Sequence, residues 1–331
     1  MRVLIFGDGA WATSSLLALV RSDIQAIGVV IRQKPSDSTL EKLARSLAIP
    51  VYQPSNVNSE DFVRLALDLR PDLGVSISYN QILRRPILDS ARLGIVNFHA
   101  GKLPRYRGRN VINWAIINGE SEIGLTAHFV DEGIDTGDII HQITLPILWK
   151  DGYGDVLNRV VENFPHFVSE VLDRIASGRI TTQPQTELPG TYFAGREDGD
   201  EWLDWSDTSL NLYNKIRAIS RPGPGARTSL GHAEVIVWSA VYDESWPKYI
   251  ATPGQVSGWS GDGVIVKTGD STLVLREVQT EQGSCEKPSW RIGTRLGINV
   301  VSALHAMRNR IHDLESLLES SGKSHAASTF V

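Results

Sequence analysis

The sequence contains a single cysteine, Cys285, among its 331 residues. One cysteine can form neither an internal disulfide nor a multi-cysteine zinc site, and such usage is typical of a reducing cytoplasm. The sequence also lacks any apolar run near the roughly 20 residues of a membrane-spanning helix. Its net charge of -5 gives no overall attraction for nucleic acid. We therefore expect a soluble, cytoplasmic protein whose partners are neither membranes nor nucleic acids.

The apolar start of the chain, residues 3–6, superficially resembles a signal peptide, but it breaks at the Gly7-Asp8-Gly9 turn. A short, continuous apolar run of this kind is typical of a strand that is buried on both faces. The length of the chain and its 41% hydrophobic content are sufficient for a core and for two domains. We predict that the first strand of the first domain lies here.

Apolar runs and helical patterns alternate along the first 100 residues. The predicted strands are 3–6, 26–31, 51–52, 73–78 and 94–98, and the predicted helices are 11–20, 39–47 and 59–69. This alternation indicates an α/β fold with a parallel, doubly wound sheet. Ser59 is the predicted N-cap of its helix. A longer helical pattern, 155–177, contains Pro165, where we expect a kink or a break.

From residue 226 the sequence changes to short β-like runs that are separated by turns. The runs are 233–239, 254–257, 263–268 and 272–278, a spacing that favours a small β-barrel. Apolar residues then recur in steps of three and four, at Leu304, Met307, Ile311, Leu314 and Leu318. Packing on its own domain and contact in a homodimer are equally good interpretations of this seam. We expect the last residues, 321–331, to be disordered.

The turn after the first strand, residues 7–12, resembles part of a dinucleotide-binding fingerprint, in which backbone amides hold phosphate. The acidic residue that completes such a fingerprint is missing, because Arg32 follows the second predicted strand. Tight packing of the strand against the helix is the better interpretation of these glycines.

Three polar residues form the strongest candidate for catalysis. Asn97 and His99 lie at the end of a predicted strand and face the same side, because strand side chains alternate with period two. Asp135 lies in the Gly-rich turn 132–137. An imidazole can move protons near neutral pH, an amide can donate to an oxyanion, and a carboxylate can orient the imidazole. No Ser or Cys stands beside His99 as a nucleophile, which favours direct transfer between two bound substrates.

At these residues the chain resembles the folate-dependent formyltransferase family. The likeness rests on N-x-H-x-x-x-L-P-x-Y-R-G-R at 97–109, N-W-A-I-I-N-G-E at 113–120, G-x-T-x-H at 124–128 and D-x-G-x-D-T-G at 131–137. A weaker likeness continues to about residue 280. The resemblance implies a Rossmann-like domain that binds 10-formyltetrahydrofolate, followed by a small, open, OB-like β-barrel, and it implies no metal. The expected boundaries are 1–200 for the formyl-folate-binding catalytic domain, 201–297 for the barrel and 298–320 for an amphipathic helix.

The resemblance also implies roles for individual residues. Asn97 would stabilise the tetrahedral oxyanion, His99 would serve as general acid and base, and Asp135 would hold His99 and raise its pKa. Contacts with the folate are implied at Gln81, Ile82, Leu83, Arg109, Asp131, Glu132, Gly133, Ile134 and Asp135.

The segment from His99 to Glu120 is most similar to the sugar nucleotide N-formyltransferases, which act on dTDP- or GDP-linked amino deoxy sugars. This similarity implies an amino sugar nucleotide as the acceptor and a place in polysaccharide biosynthesis. We assign Gly9, Trp11 and Lys102 to the acceptor site, although a solvated loop position is an equal interpretation of Lys102.

Three other functions remain as alternatives. A methionyl-tRNA formyltransferase would need a basic surface and usually carries a basic insertion after the second strand, where this chain has only the short segment 32–37. A hydroxyornithine formyltransferase of siderophore synthesis is a further alternative. A non-catalytic folate- or nucleotide-binding module would not need Asn97, His99 and Asp135 together, so it ranks below the enzymes.

Overall fold

A computed structural model describes residues 1–20, 23–185, 189–280, 283–298 and 300–326. The chain divides into two compact units. The first contains Met1–Asp200 and Asn214–Pro224, and the second contains Glu201–Tyr213 and Gly225–Val331. Residues 214–224, which the sequence assigned to the β domain, thus belong with the first unit. They are held there by hydrogen bonds such as that from Asn113 Nδ2 to the Ala218 carbonyl, at 2.6 Å.

A mixed sheet forms the centre of the first unit. The strands of this unit are β1 (Arg2–Gly7), β2 (Gln25–Ile31), β3 (Val51–Tyr52), β4 (Leu73–Ile77), β5 (Ile95–His99), β6 (Arg107–Gly108), β7 (Glu122–Phe129), β8 (Ile139–Pro146) and β9 (Tyr192–Phe193). Seven of them form one sheet in the order β3-β2-β1-β4-β5-β7-β8, and β6 pairs with β9. β1 to β5 pair in parallel, as predicted, whereas β7 and β8 add an antiparallel edge. The strand order reverses between β1 and β4, and sheets of this kind usually bind their ligands near the carboxyl ends of the strands at such a point.

Eight helices are described. They are α1 (Gly9–Val20), α2 (Thr39–Ser46), α3 (Glu60–Leu69), α4 (Arg85–Leu88), α5 (Val111–Ile117), α6 (Tyr153–Ala176), α7 (Ser209–Ala218) and α8 (Val300–Ala326). Ser59 caps α3 as predicted, because its hydroxyl accepts a hydrogen bond from the Phe62 amide at 3.4 Å. No helix among these residues has both the length and the apolar character needed to cross a bilayer.

The long helix α6 continues through Pro165, so the break, one of the two expected outcomes, does not occur. Proline removes one backbone hydrogen bond, but the residues on either side of it are anchored by packing. Phe164 and Phe167 are fully buried and contact Phe98, with ring centroids 6.3 and 5.9 Å apart. Phe98 faces the side of β5 opposite to Asn97 and His99, so α6 supports the strand that carries them.

Gly7 lies where β1 meets α1. A Cβ atom at this position would lie 2.7 Å from the Cβ of Ala12. The close approach of strand and helix therefore requires glycine, which supports packing as the reason for the Gly-rich turn.

The second unit contains an antiparallel sheet. Its strands are β10 (Ala226–Leu230), β11 (Ala233–Val241), β12 (Val256–Ser260), β13 (Gly263–Lys267) and β14 (Thr272–Thr280), in the order β10-β11-β14-β13-β12. Alternate residues on the inner strands, among them Val235 with Val237 and Val264 with Val266, are fully buried. The small β domain was predicted from the spacing of these short runs and the turns between them.

The C-terminal helix α8 differs from the prediction in two ways. It continues to Ala326, so residues 321–326 are helical instead of disordered, and 327–331 lie outside the described residues. Its apolar seam also faces solvent, since Leu304 is 59% exposed and Met307 64% exposed. Packing of the seam on its own domain, one of the two interpretations, is therefore wrong.

Candidate active site

The three predicted catalytic residues lie together at the carboxyl end of β5. Asn97 and His99 project from one face of this strand, and the antiparallel register pairs Asn97 with His128 of β7. Asp135 lies in the turn between β7 and β8, where its backbone adopts the left-handed conformation, with φ of +53°. The turn brings its carboxylate back to the ends of both strands.

The carboxylate of Asp135 is the centre of the cluster. Oδ2 lies 3.7 Å from His99 Nδ1 and accepts a hydrogen bond from the Gly108 amide at 2.8 Å. Oδ1 accepts a longer bond, 3.4 Å, from Asn97 Nδ2 and lies 3.5 Å from His128 Nε2. One carboxylate thus contacts both other predicted residues.

The imidazole of His99 is buried, and its Nε2 atom lies 2.6 Å from the backbone carbonyl of Tyr106. A carbonyl can only accept a hydrogen bond, so Nε2 carries the proton. The neutral ring then has its lone pair on Nδ1, the nitrogen that faces Asp135. Nδ1 is therefore the atom at which His99 can take up a proton, and Asp135 stabilises the resulting charge.

The balance of these effects lowers the pKa of His99 from its usual value. Burial disfavours the charged ring and is the largest influence, while Asp135 and the Tyr106 carbonyl raise the pKa and His128 lowers it further. The expectation that Asp135 raises the pKa of His99 is thus correct for this one contact but wrong for the net shift.

Asp135 remains ionised at neutral pH. Burial by itself would raise its pKa, but the nearby His99 and the hydrogen bond from the Gly108 amide outweigh burial and lower the pKa to about 2. The site therefore pairs a permanent carboxylate with an imidazole that is neutral near neutral pH.

His128 also belongs to the cluster, although it was not among the predicted site residues. Its Nδ1 lies 2.8 Å from the Phe129 carbonyl and donates to it, so Nε2 of the neutral ring is an acceptor. Asn97 Nδ2 lies 3.1 Å from this Nε2. The two hydrogens of the Asn97 amide are thus directed at His128 and Asp135, which fixes its orientation. The G-x-T-x-H motif contained His128, but only the antiparallel pairing of β7 places it opposite Asn97.

Gly101 permits the close contact between His99 and Tyr106. A Cβ at Gly101 would lie 2.5 Å from His99 Nε2 and 2.5 Å from the Tyr106 carbonyl oxygen. The hydroxyl of Thr126 also donates to the Gly101 carbonyl at 2.6 Å. The loop that follows β5 is therefore held against the imidazole, and this position requires glycine.

Gln185 is a second residue that the sequence did not single out. Its side chain is buried, and Nε2 donates to the Asp135 carbonyl at 3.1 Å and to the Gly137 carbonyl at 2.6 Å. Its Oε1 accepts two bonds from the guanidinium of Arg107, at 3.2 and 2.8 Å. Gln185 thus joins the backbone of the Asp135 turn to Arg107 of β6, the residue before Gly108.

The predicted folate contacts from 131 to 134 form an exposed turn. Asp131 holds its shape, because Oδ1 accepts from the Gly133 amide at 3.1 Å and from the Thr136 hydroxyl at 2.6 Å. Glu132 and Ile134 are exposed, and a concave surface of about 420 Å³ is lined by residues 131–133 together with Phe129 and Arg85.

The other predicted folate contacts differ in their environments. Gln81 is used internally, since its Oε1 accepts from the Val57 amide at 2.8 Å. The side chain of Leu83 is buried in the core, whereas Ile82 is 59% exposed. The Arg109 side chain is exposed, and its amide donates to the Phe193 carbonyl. Of this group, Ile82 and Arg109 offer side chains to a ligand.

The three predicted acceptor contacts do not form one cluster. Gly9, with φ of +72°, begins α1, and the half-buried Trp11 packs on Phe164 with ring centroids 5.3 Å apart. Lys102 forms an ion pair with Glu122 instead. Lys102 and Glu122 both line a separate cavity of about 610 Å³.

Within the described part of the chain, no group of three or more His, Cys, Asp or Glu residues is placed to hold a metal ion.

Comparison with known proteins identifies the family. The formyl transferase family matches residues 1–172, and the formyl transferase C-terminal domain matches residues 197–290. The chain belongs to the formyl transferase family. The resemblance seen in the motifs from 97 to 137 is confirmed, and the chain is a folate-dependent formyltransferase.

The sequence relatives include methionyl-tRNA formyltransferases. Methionyl-tRNA formyltransferase of Pelotomaculum thermopropionicum is 32% identical over 85% of this chain and 91% of its own length. The same enzyme of Synechococcus sp. is 35% identical over 86% and 94%.

The structural neighbours include two sugar formyltransferases. The sugar 3N-formyltransferase WlaRD, with dTDP and 5-N-formyl-THF, has a TM-score of 0.66 at 20% identity over 86% of this chain and 99% of its own. The N-formyltransferase of Helicobacter canadensis, with folinic acid and dTDP-3-aminofucose, has a TM-score of 0.65 at 19% identity over 83% and 98%. These similarities show a shared fold.

Proposed function

We propose that this enzyme transfers a formyl group from 10-formyltetrahydrofolate to the amine of an amino sugar nucleotide. The observation that carries the reaction is the cluster of Asn97, His99 and Asp135, in which one carboxylate contacts both an amide and an imidazole. The donor supplies a formyl carbon that is open to attack by an amine. The remaining chemistry is proton movement and stabilisation of a developing oxyanion.

His99 would move the proton. Its neutral ring takes a proton from the attacking amine at Nδ1, where Asp135 stabilises the imidazolium, and then delivers the proton to the leaving nitrogen. The lowered pKa of His99 keeps the ring neutral and ready to accept near neutral pH. General acid-base catalysis of this kind contributes a factor of about 10² to 10⁴ in rate.

Asn97 would stabilise the negative charge on the formyl oxygen. Its Nδ2 atom already has fixed directions for both hydrogens, towards His128 and Asp135. The 3.4 Å contact with Asp135 is the longer of the two and is the one that an oxyanion would replace. An oriented donor of this kind is worth about 3 kcal/mol in the transition state.

The exposed groups among the predicted folate contacts suit a folate. The concavity of about 420 Å³ is within the size range of small-molecule sites, and the exposed turn 131–134 offers backbone groups to a planar ring. Ile82 and Arg109 offer an apolar side chain and a cation, which suit the ring and the carboxylates of a folate.

The charge distribution favours a sugar nucleotide over tRNA. The matched C-terminal domain, 197–290, contains eight Lys and Arg residues against fourteen Asp and Glu residues, a net charge of -6. After β2, Arg32 forms an ion pair with Asp8, which leaves Lys34 as the other basic residue of the segment 32–37. Binding to nucleic acid depends on many cationic contacts with phosphates. The absence of a basic insertion supports a small acceptor over tRNA.

Methionyl-tRNA formyltransferase is the second candidate, because relatives with that activity are 32 and 35% identical to this chain. The two functions differ in a measurable product. The purified enzyme is incubated with 10-formyltetrahydrofolate and, in turn, dTDP-, GDP- and UDP-linked amino sugars, charged initiator tRNA and hydroxyornithine. Mass spectrometry of each acceptor detects the formyl group.

We expect formylation of an amino sugar nucleotide alone. Transfer to the tRNA or to hydroxyornithine alone would overturn our choice of acceptor but would leave the catalytic cluster intact. His99→Asn is the matched control, because it keeps a polar side chain and removes the base. Its rate should fall at least about 100-fold with every acceptor. Unchanged activity in this variant would overturn the mechanism itself.

A further inference from the structure

The exposed apolar seam of α8 has a use that the formyl transfer reaction does not explain. Leu304, Met307, Ile311 and Leu314 are 59, 64, 57 and 44% exposed. Single exposed apolar residues are common, but a continuous row of them along one helix marks an interaction surface. The seam lies beyond residue 290, where the match to the family ends.

The spacing of the seam is that of a coiled coil. Steps of three and four place Leu304 and Ile311 at heptad position a, and Met307 and Leu314 at position d. Val300 precedes them at d, and Leu318 continues the pattern in the sequence at a. A repeat of seven residues keeps the apolar row facing a partner helix along its whole length.

We propose that α8 pairs with α8 of a second copy of this chain in a parallel, two-stranded coiled coil. The central heptad fits this geometry, because a β-branched residue at a, here Ile311, with leucine at d, here Leu314, favours parallel dimers. A second copy presents the same seam in the same register.

The charges beside the seam fit the same partner. Arg310 lies at position g and Glu315 at position e. In a parallel pair, position g of one helix meets position e of the next heptad in the other helix, five residues further on. Arg310 therefore meets Glu315 of the second copy, and the symmetric contact forms on the other side.

The length of the seam is sufficient for a stable contact. Nineteen residues from Val300 to Leu318 span about 27 Å at 1.5 Å per residue. Helical stability in proteins comes mostly from the packing of an apolar face. Pairing supplies that packing for α8.

Sedimentation velocity on the full-length enzyme over a concentration series tests the proposal. We expect a dimer whose dissociation constant rises at least about 100-fold in Ile311→Lys, because two lysines would enter the seam. Asn309→Lys is the matched control, since position f faces away from the partner, and it should dimerise as the wild type does. A wild-type monomer at every concentration, or an Ile311→Lys variant that dimerises normally, would overturn the proposal.

A charge exchange tests the parallel arrangement. Arg310→Glu places an acidic residue opposite Glu315 of the second copy and should weaken the dimer. Arg310→Glu combined with Glu315→Arg restores opposite charges and should restore the dimer. In a Cys285→Ser background, oxidation should link Leu314→Cys to its own counterpart, whereas Asn309→Cys should remain unlinked. The parallel pair is contradicted if the double charge exchange restores the dimer but Leu314→Cys does not form a disulfide between the two copies. It is equally contradicted if the disulfide forms but the charge exchange does not restore the dimer.

Discussion

At the residue scale, the environment of His99 is defined by two groups of different origin. The carboxylate of Asp135 faces Nδ1, and a backbone carbonyl, that of Tyr106, faces Nε2. The sequence predicted the first contact, because side chains with complementary chemistry recur in recognisable motifs. It could not predict the second, because the contact depends on the path of the loop after β5 and on the absence of a Cβ at Gly101.

The acid side of the pH profile tests this environment. The pKa of His99 is lowered, so the neutral base persists below pH 6.5, its ordinary value, and kcat/KM for the free enzyme should decline only below that pH. In Asp135→Asn the influence that raises the pKa is removed, so the decline should move to still lower pH. The plateau should fall at least about 100-fold, because the imidazolium loses its partner.

A profile of kcat/KM against pH for both proteins provides the measurement. Asp135 itself, with a pKa of about 2, should add no further step in the assay range. A decline that moves to higher pH in Asp135→Asn would contradict the assigned contact.

Gln185 is a positioning residue whose loss should affect both stability and rate. In Gln185→Ala the buried guanidinium of Arg107 loses two hydrogen bonds, and the free energy of unfolding should fall by about 1–3 kcal/mol. The Asp135 turn also loses two bonds, so kcat should fall about tenfold with KM for the donor little changed.

Gln183→Ala is the control for this variant, because Gln183 is exposed and bonds to Ile139 through its backbone. Denaturant unfolding and steady-state kinetics measure the two effects. If Gln185 served folding alone, Gln185→Ala would be less stable but would keep the wild-type kcat. The acidic decline of its kcat/KM profile would also occur at the same pH as in the wild type.

At the element scale, the parallel strands and their helices could be predicted because alternation of apolar runs is a local signal. The antiparallel edge of β7 and β8 could not, because strand direction depends on which neighbours pair. That direction is what places His128 opposite Asn97. The site was thus predictable as a list of residues but not as a complete cluster.

The continuity of α6 gives a prediction at this scale. Pro165 costs the helix a hydrogen bond and lies next to Phe164, which is fully buried. Pro165→Ala should therefore stabilise the enzyme by about 1 kcal/mol or more. Thermal unfolding measures the change, with the exposed Glu162→Ala on the same helix as control. A lower melting temperature in Pro165→Ala would show that the fold depends on the proline.

At the scale of the whole molecule, net charge gives a test of the acceptor that we propose. A chain with a net charge of -5 and an acidic C-terminal domain should bind tRNA weakly at physiological salt. An excess of tRNA that carries no amino acid should therefore leave the rate of formyl transfer to an amino sugar nucleotide unchanged. Inhibition that disappears as salt is raised would instead reveal a cationic surface that the sequence count hides.

The two groups that contact the nitrogens of His99 come from residues with an unfavourable backbone. Tyr106 has φ of +58° and Asp135 has φ of +53°. For residues other than glycine this conformation costs about 1–2 kcal/mol each, whereas glycine adopts it readily. Laboratory evolution for heat resistance alone would therefore find gains at position 135 by discarding the carboxylate. Selection of a durable variant of this enzyme has to include turnover, since one such stabilising change would remove a carboxylate that we propose is needed for catalysis.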